Sequence, residues 1–236
     1  MTTQLPETSA PTSTRKRTIL LIDDHPIVRQ GLSQLINQEP DLHVSAEAAS
    51  AREALEAMAK AVPDIAIVDI SLDDRSGIEL IKDLRARDPN LPVLALSMHD
   101  ESLYAERALR AGAKGYIMKQ EATEQVMTAI RKVLDGQIYV SERMASRLLD
   151  QFVSTKPGDE ESPLGRLSDR ELEIFSMIGR GLGTREIANR LYLSIKTVEA
   201  HREHIKEKLK LKSGTELMRM AVQYALEQPK REEAKE

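Results

Sequence analysis

Short aliphatic runs alternate with helical patterns over the first part of the chain. Five runs have the length and composition of buried strands, at residues 18–22, 42–48, 65–69, 92–97 and 115–118. Between them lie segments with helical spacing or helix-favouring residues, at 26–38, 51–61, 77–88, 102–111 and 123–135. Five strand–helix repeats with apolar strands predict an α/β domain, a doubly wound parallel sheet covered by helices on both faces.

The pattern changes to helices alone after residue 136. A short amphipathic stretch precedes a Ser-, Thr-, Pro-, Gly- and acid-rich segment of linker composition. Four helices are then predicted, at 168–179, 184–191, 195–210 and 213–227, with N-caps at Ser168, Thr184, Ser194 and Ser213. We therefore expect a disordered tail at 1–16, a first domain at 17–137, a linker with a short helix at 138–166, a helical domain at 167–228 and a charged tail at 229–236.

Composition narrows the class of protein. Hydrophobic residues make up 41% of the 236 positions but aromatic residues only 3%, so we expect aliphatic cores. The chain has no Cys, which excludes disulfides, a thiol nucleophile and Cys-ligated metals. No apolar run reaches the length of a membrane span, and the first 14 residues lack the apolar core of a signal peptide. These features favour a cytoplasmic protein.

The charge is distributed unevenly. Residues 15–150 contain 18 basic and 22 acidic side chains, whereas residues 166–228 contain 12 basic and 9 acidic side chains. The helical part is therefore mildly positive on an acidic protein whose net charge is −4. This balance permits nucleic-acid binding but does not establish it.

Acidic and polar side chains stand where the predicted strands end. Asp23 and Asp24 follow the first strand, Asp69 and Ser97 end the third and fourth, and Lys119 follows the fifth. Because functional residues of an open parallel sheet gather at the carboxyl ends of its strands, these side chains are expected to converge. Clustered carboxylates repel one another unless a cation lies among them, and oxygen ligands favour Mg²⁺.

This set of residues suits phosphoryl chemistry. With Mg²⁺ held beside Asp23 and Asp24, Asp69 is the candidate nucleophile that forms an acyl phosphate. Ser97 and Lys119 supply a hydroxyl and an ammonium for the phosphoryl oxygens. Each acid alone is more simply interpreted as a solvated loop residue, but five matching residues at five matching positions favour a site.

These residues, with the segment ALRAGAKGYIMK that ends at Lys119, resemble the receiver domain of bacterial two-component response regulators. The resemblance implies a flavodoxin-like (βα)5 fold and phosphorylation of Asp69 by a cognate histidine kinase. It also implies Mg²⁺ as cofactor, with the backbone carbonyl of Ser71 joining the three aspartates. Finally, it makes Tyr116 the partner of Ser97 in a conformational switch, although a half-buried tyrosine on an edge strand is an alternative reading of Tyr116.

The loop after the third strand departs from the family pattern. Receiver domains usually have proline four residues after the phosphorylated aspartate, and this chain has Asp73, followed by Asp74. Loss of proline loosens the loop. Two additional acids are expected to alter the affinity for metal or the lifetime of the phosphate.

The most specific stretch is LSDRELEIFSMIGRGLGTREIANRLYLSIKTVEAHREHIKEKLKL. Two helices joined by a tight turn, the second with a polar start, form a helix-turn-helix pattern. Val198, His201, Ile205 and Leu209 recur at helical spacing and are expected to face the core. The segment resembles the C-terminal domain of LuxR-type regulators, and the whole chain resembles the NarL/FixJ-type response regulators. A helical bundle that binds protein is the alternative.

This second resemblance implies double-stranded DNA as a partner. The recognition helix at 195–210 would place near bases Lys196, Thr197, Glu199, Ala200 and Glu203. The candidate phosphate contacts are Arg185, Arg202, Lys206, Lys208 and Lys210. His201 and His204 are three residues apart, but we expect no metal there because no further ligand is evident.

The last predicted helix carries apolar side chains that a dimer could use. Leu217, Met220 and Tyr224 recur at helical spacing, so we expect a homodimer, formed when the protein is phosphorylated, on a palindromic operator. Phosphorylation would either dimerise the protein or release its DNA reader, and the sequence leaves both open. No enzymatic turnover is expected, because an aspartyl-phosphate phosphatase would carry a second aspartate where Ser71 stands. A regulator whose receiver is never phosphorylated remains the other alternative.

Overall fold

The computed structural model describes residues 15–72, 75–98, 101–154 and 163–227. Asp73, Asp74, the predicted terminal tails up to residue 14 and from residue 229, and the linker centre at 155–162 lie outside these ranges. Contacts within the chain divide it into two units, Met1–Met144 and Ala145–Glu236.

The first unit is built on the predicted parallel sheet. Its strands are β1 (Arg17–Ile22), β2 (Leu42–Ala48), β3 (Ile65–Asp69), β4 (Val93–Ser97) and β5 (Gly115–Met118). They are all parallel and follow the spatial order β2-β1-β3-β4-β5, which confirms the doubly wound, flavodoxin-like topology.

Five helices cover this sheet. They are α1 (Pro26–Asn37), α2 (Ala51–Lys60), α3 (Gly77–Arg87), α4 (Glu101–Arg110) and α5 (Ala122–Leu134). One aliphatic core joins alternate strand residues, such as Ile19 and Leu21 of β1, to α1 and α5. This alternation follows from the two-residue period of a strand, which turns successive side chains to opposite faces.

The strand order places the functional residues. Direction along the sheet reverses between β1 and β3, where a crevice opens at the carboxyl ends of the strands. Ile22 lies opposite Val68 in the parallel ladder, so Asp23 and Asp69 follow side by side. Asp69 in turn lies opposite Leu96, directly before Ser97. The register therefore brings three functional residues to one edge.

The second unit is helical. The chain reaches it through α6 (Glu142–Ser154), and a 3-10 turn at Pro163–Arg166 precedes the remaining helices, α7 (Asp169–Gly179), α8 (Thr184–Arg190), α9 (Ile195–Lys208) and α10 (Gly214–Glu227). Its core contains the buried side chains Leu172, Phe175, Ile178, Ile187, Val198, Ile205, Leu217 and Ala221.

Side-chain caps start several of these helices. The predicted capping box of α7 is confirmed, since Ser168 and Glu171 each accept a hydrogen bond from the other's backbone N–H. Ser194 caps α9 as predicted. The predicted cap at Thr184 is wrong, because Thr184 is the first helical residue of α8 and Gly183 takes the cap position. The Glu186 side chain satisfies the Gly183 N–H instead, at 2.8 Å.

Candidate functional site

The predicted acidic pocket is present at the carboxyl edge of the sheet. Asp23, Asp69 and Ser97 are fully buried there. The Lys119 ammonium reaches in from the end of β5 and contacts both carboxylates, with Nζ 2.7 Å from Asp23 Oδ2 and 2.6 Å from Asp69 Oδ2. Burial of two carboxylates is tolerable because one ammonium pairs with both.

Backbone N–H groups fix the orientation of both buried carboxylates. Asp69 Oδ1 accepts a hydrogen bond from the Ser71 N–H at 3.1 Å, and Asp23 Oδ1 accepts one from the His25 N–H at 2.9 Å. Each carboxylate therefore directs one oxygen to its own loop and the other to Lys119. A nucleophile held in this way needs little reorganisation before it reacts.

Burial and charge act in opposite directions on the ionisation of these groups. Burial raises the pKa of Asp69, and the neighbouring Asp23 charge adds to this, while Lys119 opposes both. Burial alone would lower the pKa of Lys119, but Asp69 and Asp23 together raise it above its ordinary value. Lys119 is therefore a permanent cation at neutral pH, and it favours the ionised form of Asp69 that attacks phosphorus.

The pocket also offers a set of metal ligands. Asp23, Asp24, His25 and Asp69 each bring one ligand atom within 4.8 Å of the others. Three carboxylates are the ligands that a hard cation such as Mg²⁺ prefers. His25 was missed in the sequence; its Nδ1 lies 2.6 Å from Asp24 Oδ1, and its only sequence signal is that it directly follows the acidic pair.

A glycine at the start of α3 presses against the phosphorylation candidate. A Cβ on Gly77 would lie 2.0 Å from the Asp69 carbonyl oxygen and 2.7 Å from Ile70 Cα. The Gly77 N–H also donates to the Ile70 carbonyl at 2.8 Å. This close approach sets the backbone from which the Asp69 side chain extends, and the sequence pattern did not reveal it.

The predicted switch residues lie on neighbouring strands. Ser97 ends β4 opposite Met118, and Tyr116 lies two residues earlier on β5 opposite Ala95. Tyr116 is only 2% exposed, so the reading of a half-buried edge tyrosine is wrong. The switching role of this pair, and the Ser71 carbonyl as a ligand, remain predictions.

The second unit contains the predicted helix-turn-helix. Helices α8 and α9 are joined by a turn closed by the Leu193 N–H, which donates to the Ala188 carbonyl at 2.9 Å. Val198 and Ile205 hold α9 against the core, as predicted, and His201 and Leu209 are half-buried beside them. Tyr192 lies in the turn with φ of +51° and is 77% exposed.

Most of the predicted DNA contacts lie on the surface of α8 and α9. The exposed ones are Arg185, Lys196, Glu199, Ala200, Glu203 and Lys210. Thr197, Arg202 and Lys206 are half-buried. The Lys206 ammonium pairs with Glu203 at 2.8 Å, which leaves this pair nearly neutral as seen from outside.

Lys208 has a different environment from the predicted one. Its Nζ lies 2.6 Å from Glu171 Oε2, a buried carboxylate of α7 that also accepts the Ser168 N–H at 2.7 Å. Burial would raise the pKa of Glu171, but these hydrogen bonds and the Lys208 charge lower it. The prediction of Lys208 as a phosphate contact is therefore corrected, because its ammonium ties α9 to α7.

The two histidines of α9 do have a carboxylate nearby, contrary to expectation. Glu171, His201 and His204 bring ligand atoms within 4.8 Å of one another. Glu171 Oε2 is already engaged by Ser168 and Lys208. Burial and then the nearby Arg170, His204 and Lys208 lower the pKa of His201, outweighing the opposing effect of Glu171. Two neighbouring cations disfavour a metal ion, so we assign the cluster to helix packing.

The predicted dimer residues on α10 are divided between core and surface. Leu217 is fully buried and packs inside its own unit, so it is withdrawn as a dimer contact. Met220 is half-buried, and the Tyr224 ring lies 6.0 Å from Phe175. Met218 is the large exposed side chain on this helix, 44% accessible. Across the residues described, no helix is long and apolar enough to span a membrane.

Comparison with known proteins connects both sites to one family. Residues 19–131 match the response regulator receiver domain, and residues 165–221 match the bacterial regulatory proteins of the luxR family. The oxygen regulatory protein NreC of Staphylococcus haemolyticus is 41% identical over 212 residues, which cover 88% of this chain and 96% of that protein. The chain belongs to the NarL/FixJ-type two-component response regulators.

Solved structures of response regulators agree with this membership. A LuxR-family response regulator from Aurantimonas sp. SI85-9A1 is 36% identical with a TM-score of 0.55, over 59% of this chain and 99% of that one. RcsB from Salmonella enterica serovar Typhimurium, bound to promoter P1flhDC with the phosphomimetic BeF3⁻, is 25% identical with a TM-score of 0.58, over 89% of this chain and 100% of that one. As a response regulator with a receiver and a LuxR-type DNA-binding domain, this protein regulates transcription through phosphorylation.

Proposed function

We propose that a cognate histidine kinase phosphorylates this regulator on Asp69. The observation that carries the proposal is the buried pairing of Asp69 with Lys119 at 2.6 Å, beside Asp23. It gives an oriented, ionised carboxylate with a cation ready for the phosphoryl oxygens. Asp23, Asp24 and Asp69, with the Ser71 carbonyl, would hold Mg²⁺, which when bound neutralises charge on the incoming donor.

The reaction uses the groups of this pocket. An Asp69 carboxylate oxygen attacks phosphorus, the bond from phosphorus to the donor breaks, and an acyl phosphate forms. Lys119 then pairs with a phosphoryl oxygen in place of the Asp69 carboxylate, and the Ser97 hydroxyl donates to another. Tyr116 closes behind Ser97 and fixes the altered position of that strand end.

The site assignment is tested by intact mass after incubation with acetyl phosphate and Mg²⁺. We expect one phosphoryl group on the wild type and none on Asp69→Ala. Asp135→Ala, which removes an exposed aspartate of the same unit, is the matched control and should be labelled like the wild type. Labelling of Asp69→Ala, or labelling that continues when EDTA replaces Mg²⁺, contradicts the assignment.

The output is proposed to be binding of double-stranded DNA by residues 167–228, controlled by the receiver at 17–137 across the linker at 138–166. Support comes from the exposed polar face of α9 and from the RcsB structures, in which that relative is bound to promoter DNA. The proposed base contacts are Lys196, Thr197, Glu199, Ala200 and Glu203, and the proposed phosphate contacts are Arg185, Arg202, Lys206 and Lys210. A phosphorylated homodimer on a palindromic operator, acting in the cytoplasm as a regulator and not as an enzyme, completes the proposal.

Dimerisation is tested on the same samples. Each labelled protein is passed over a sizing column, where we expect the wild type to elute earlier once phosphorylated and Asp69→Ala to be unchanged. A phosphorylated wild type that elutes as a monomer would leave release of the DNA reader as the output. DNA binding that is equal for wild type and Asp69→Ala, with and without acetyl phosphate, would favour the phosphorylation-independent regulator.

A further inference from the structure

The segment that leaves α5 is paired with the edge of the sheet. The Tyr139 N–H donates to the Lys114 carbonyl at 2.9 Å, and the Tyr116 N–H donates to the Tyr139 carbonyl at 2.8 Å. Gly115 and Tyr139 form a parallel bridge. The Tyr139 hydroxyl also donates to Gln125 Oε1 of α5 at 2.6 Å. The chain therefore leaves the receiver along β5, next to the predicted switch tyrosine.

One hydroxyl group then connects two helix starts. Ser141 Oγ donates to Glu101 Oε1, in the first turn of α4, at 2.5 Å. The same oxygen accepts the Met144 N–H, in the first turn of α6, at 3.1 Å. Met144 is 2% exposed, which anchors this turn in the receiver. Ser141 thus acts as an N-cap for α6 while α4 holds its proton.

Glu101 is close in sequence to the switch. It is four residues after Ser97, whose side chain is fully buried at the pocket. A displacement of Ser97 toward a phosphoryl group is passed to Glu101 through only three intervening residues. Since hydrogen bonds weaken steeply once distance and angle depart from their preferred values, a small shift of Glu101 is enough to lose Ser141.

We infer that Glu101 and Ser141 relay phosphorylation to α6, the helix that leads to the DNA-binding unit. This inference rests on the phosphorylation proposed above. When Ser97 moves to the phosphoryl group, Glu101 withdraws, the Ser141 hydroxyl loses the acceptor that orients it, and the first turn of α6 opens. The bistable element is the cap itself, closed in the unphosphorylated protein and open in the phosphorylated one.

Hydrogen exchange of the full chain, read by mass spectrometry over residues 142–150, tests this relay. In the wild type, acetyl phosphate and Mg²⁺ should speed exchange at the start of α6 about five-fold, the ratio that corresponds to a lost cap of about 1 kcal/mol. Glu101→Ala removes the acceptor but not the Ser141 cap oxygen. It should exchange fast in both states, so the response to phosphorylation disappears while the mass still shows one phosphoryl group.

Two further variants serve as controls. Glu101→Gln keeps a side-chain acceptor for Ser141 and should restore the response. Glu106→Ala removes another glutamate of α4, one paired with Arg110 at the surface, and should respond like the wild type.

Two results would overturn the relay: a phosphorylated wild type whose exchange at 142–150 is unchanged, or a Glu101→Ala variant that keeps the full response. A wild type that takes up no phosphoryl group refutes the proposed function instead, and the relay falls with it.

Discussion

Gly77 provides a direct test of how the fold positions the phosphorylation site. In Gly77→Ala the new methyl carbon would meet three backbone atoms, the Asp69 carbonyl oxygen at 2.0 Å, Ile70 Cα at 2.7 Å and the Asp69 carbonyl carbon at 2.9 Å. Real contacts of this kind stay above 3.0 Å, so the start of α3 and the end of β3 must separate by about 1 Å. The end of β3 is buried and paired on both sides, so it yields poorly.

We expect Gly77→Ala to lower the free energy of unfolding of the receiver by about 3 kcal/mol, the upper range for overpacking. We also expect slower labelling by acetyl phosphate, because the Asp69 backbone is displaced. Gly31→Ala is the matched control: nothing lies within 4 Å of its new methyl group, and alanine is favoured over glycine inside α1 by about 0.5–1 kcal/mol. Urea titration, followed by hydrogen exchange of strand peptides, measures both. If Gly77→Ala proves as stable and as reactive as the wild type, the reasoning about this close approach is wrong.

Three predictions concern the helical unit. Tyr192→Asn should raise its thermal stability by about 1 kcal/mol, because asparagine tolerates the positive φ that the exposed tyrosine is forced to adopt; equal or lower stability contradicts this. The pKa of Glu171 is lower in the folded protein than its ordinary 4.5, so its contribution to stability is present above pH 4.5 and is lost as pH falls through the lowered pKa. Glu171→Gln should therefore flatten the acid side of a stability–pH curve, and an unchanged acid side argues against the Lys208 pairing. Lys196→Ala should reduce the slope of log affinity for DNA against log salt by about one, whereas Lys208→Ala should leave the slope intact and lower stability; the reverse result restores Lys208 as a phosphate contact.

The receiver sheet and its pocket could be predicted because the information is local. A strand buried on both faces is a continuous apolar run, as in Ile65–Asp69, and its end is marked by the first polar side chain. The parallel topology then brings the ends together without any detail of packing. Asp23, Asp69, Ser97 and Lys119 are therefore found together as expected.

Contacts that depend on the rotation of a helix could not be predicted in this way. Apolar residues lie on more than one side of α10, so spacing alone does not tell whether Leu217 or Met218 faces the core. The pairing of Lys208 with Glu171 joins residues 37 positions apart and depends on how α9 crosses α7. Gly77 is equally silent in sequence, because a glycine near a helix start has several explanations besides a close approach.

The arrangement of charge in the pocket connects its stability with its response. Lys119 stabilises two buried carboxylates at once, so the unphosphorylated state depends on that single ammonium. Phosphorylation converts the Asp69 carboxylate into an ester and adds a group with charge of about −1.5 to −2. The ammonium must then follow the new charge, and Asp23 loses part of its partner. A pocket that balances two acids on one lysine is thus stable in one charge state and compelled to rearrange in the next, and the nearest buried hydroxyl beside it, Ser97, belongs to the strand that leads to α4.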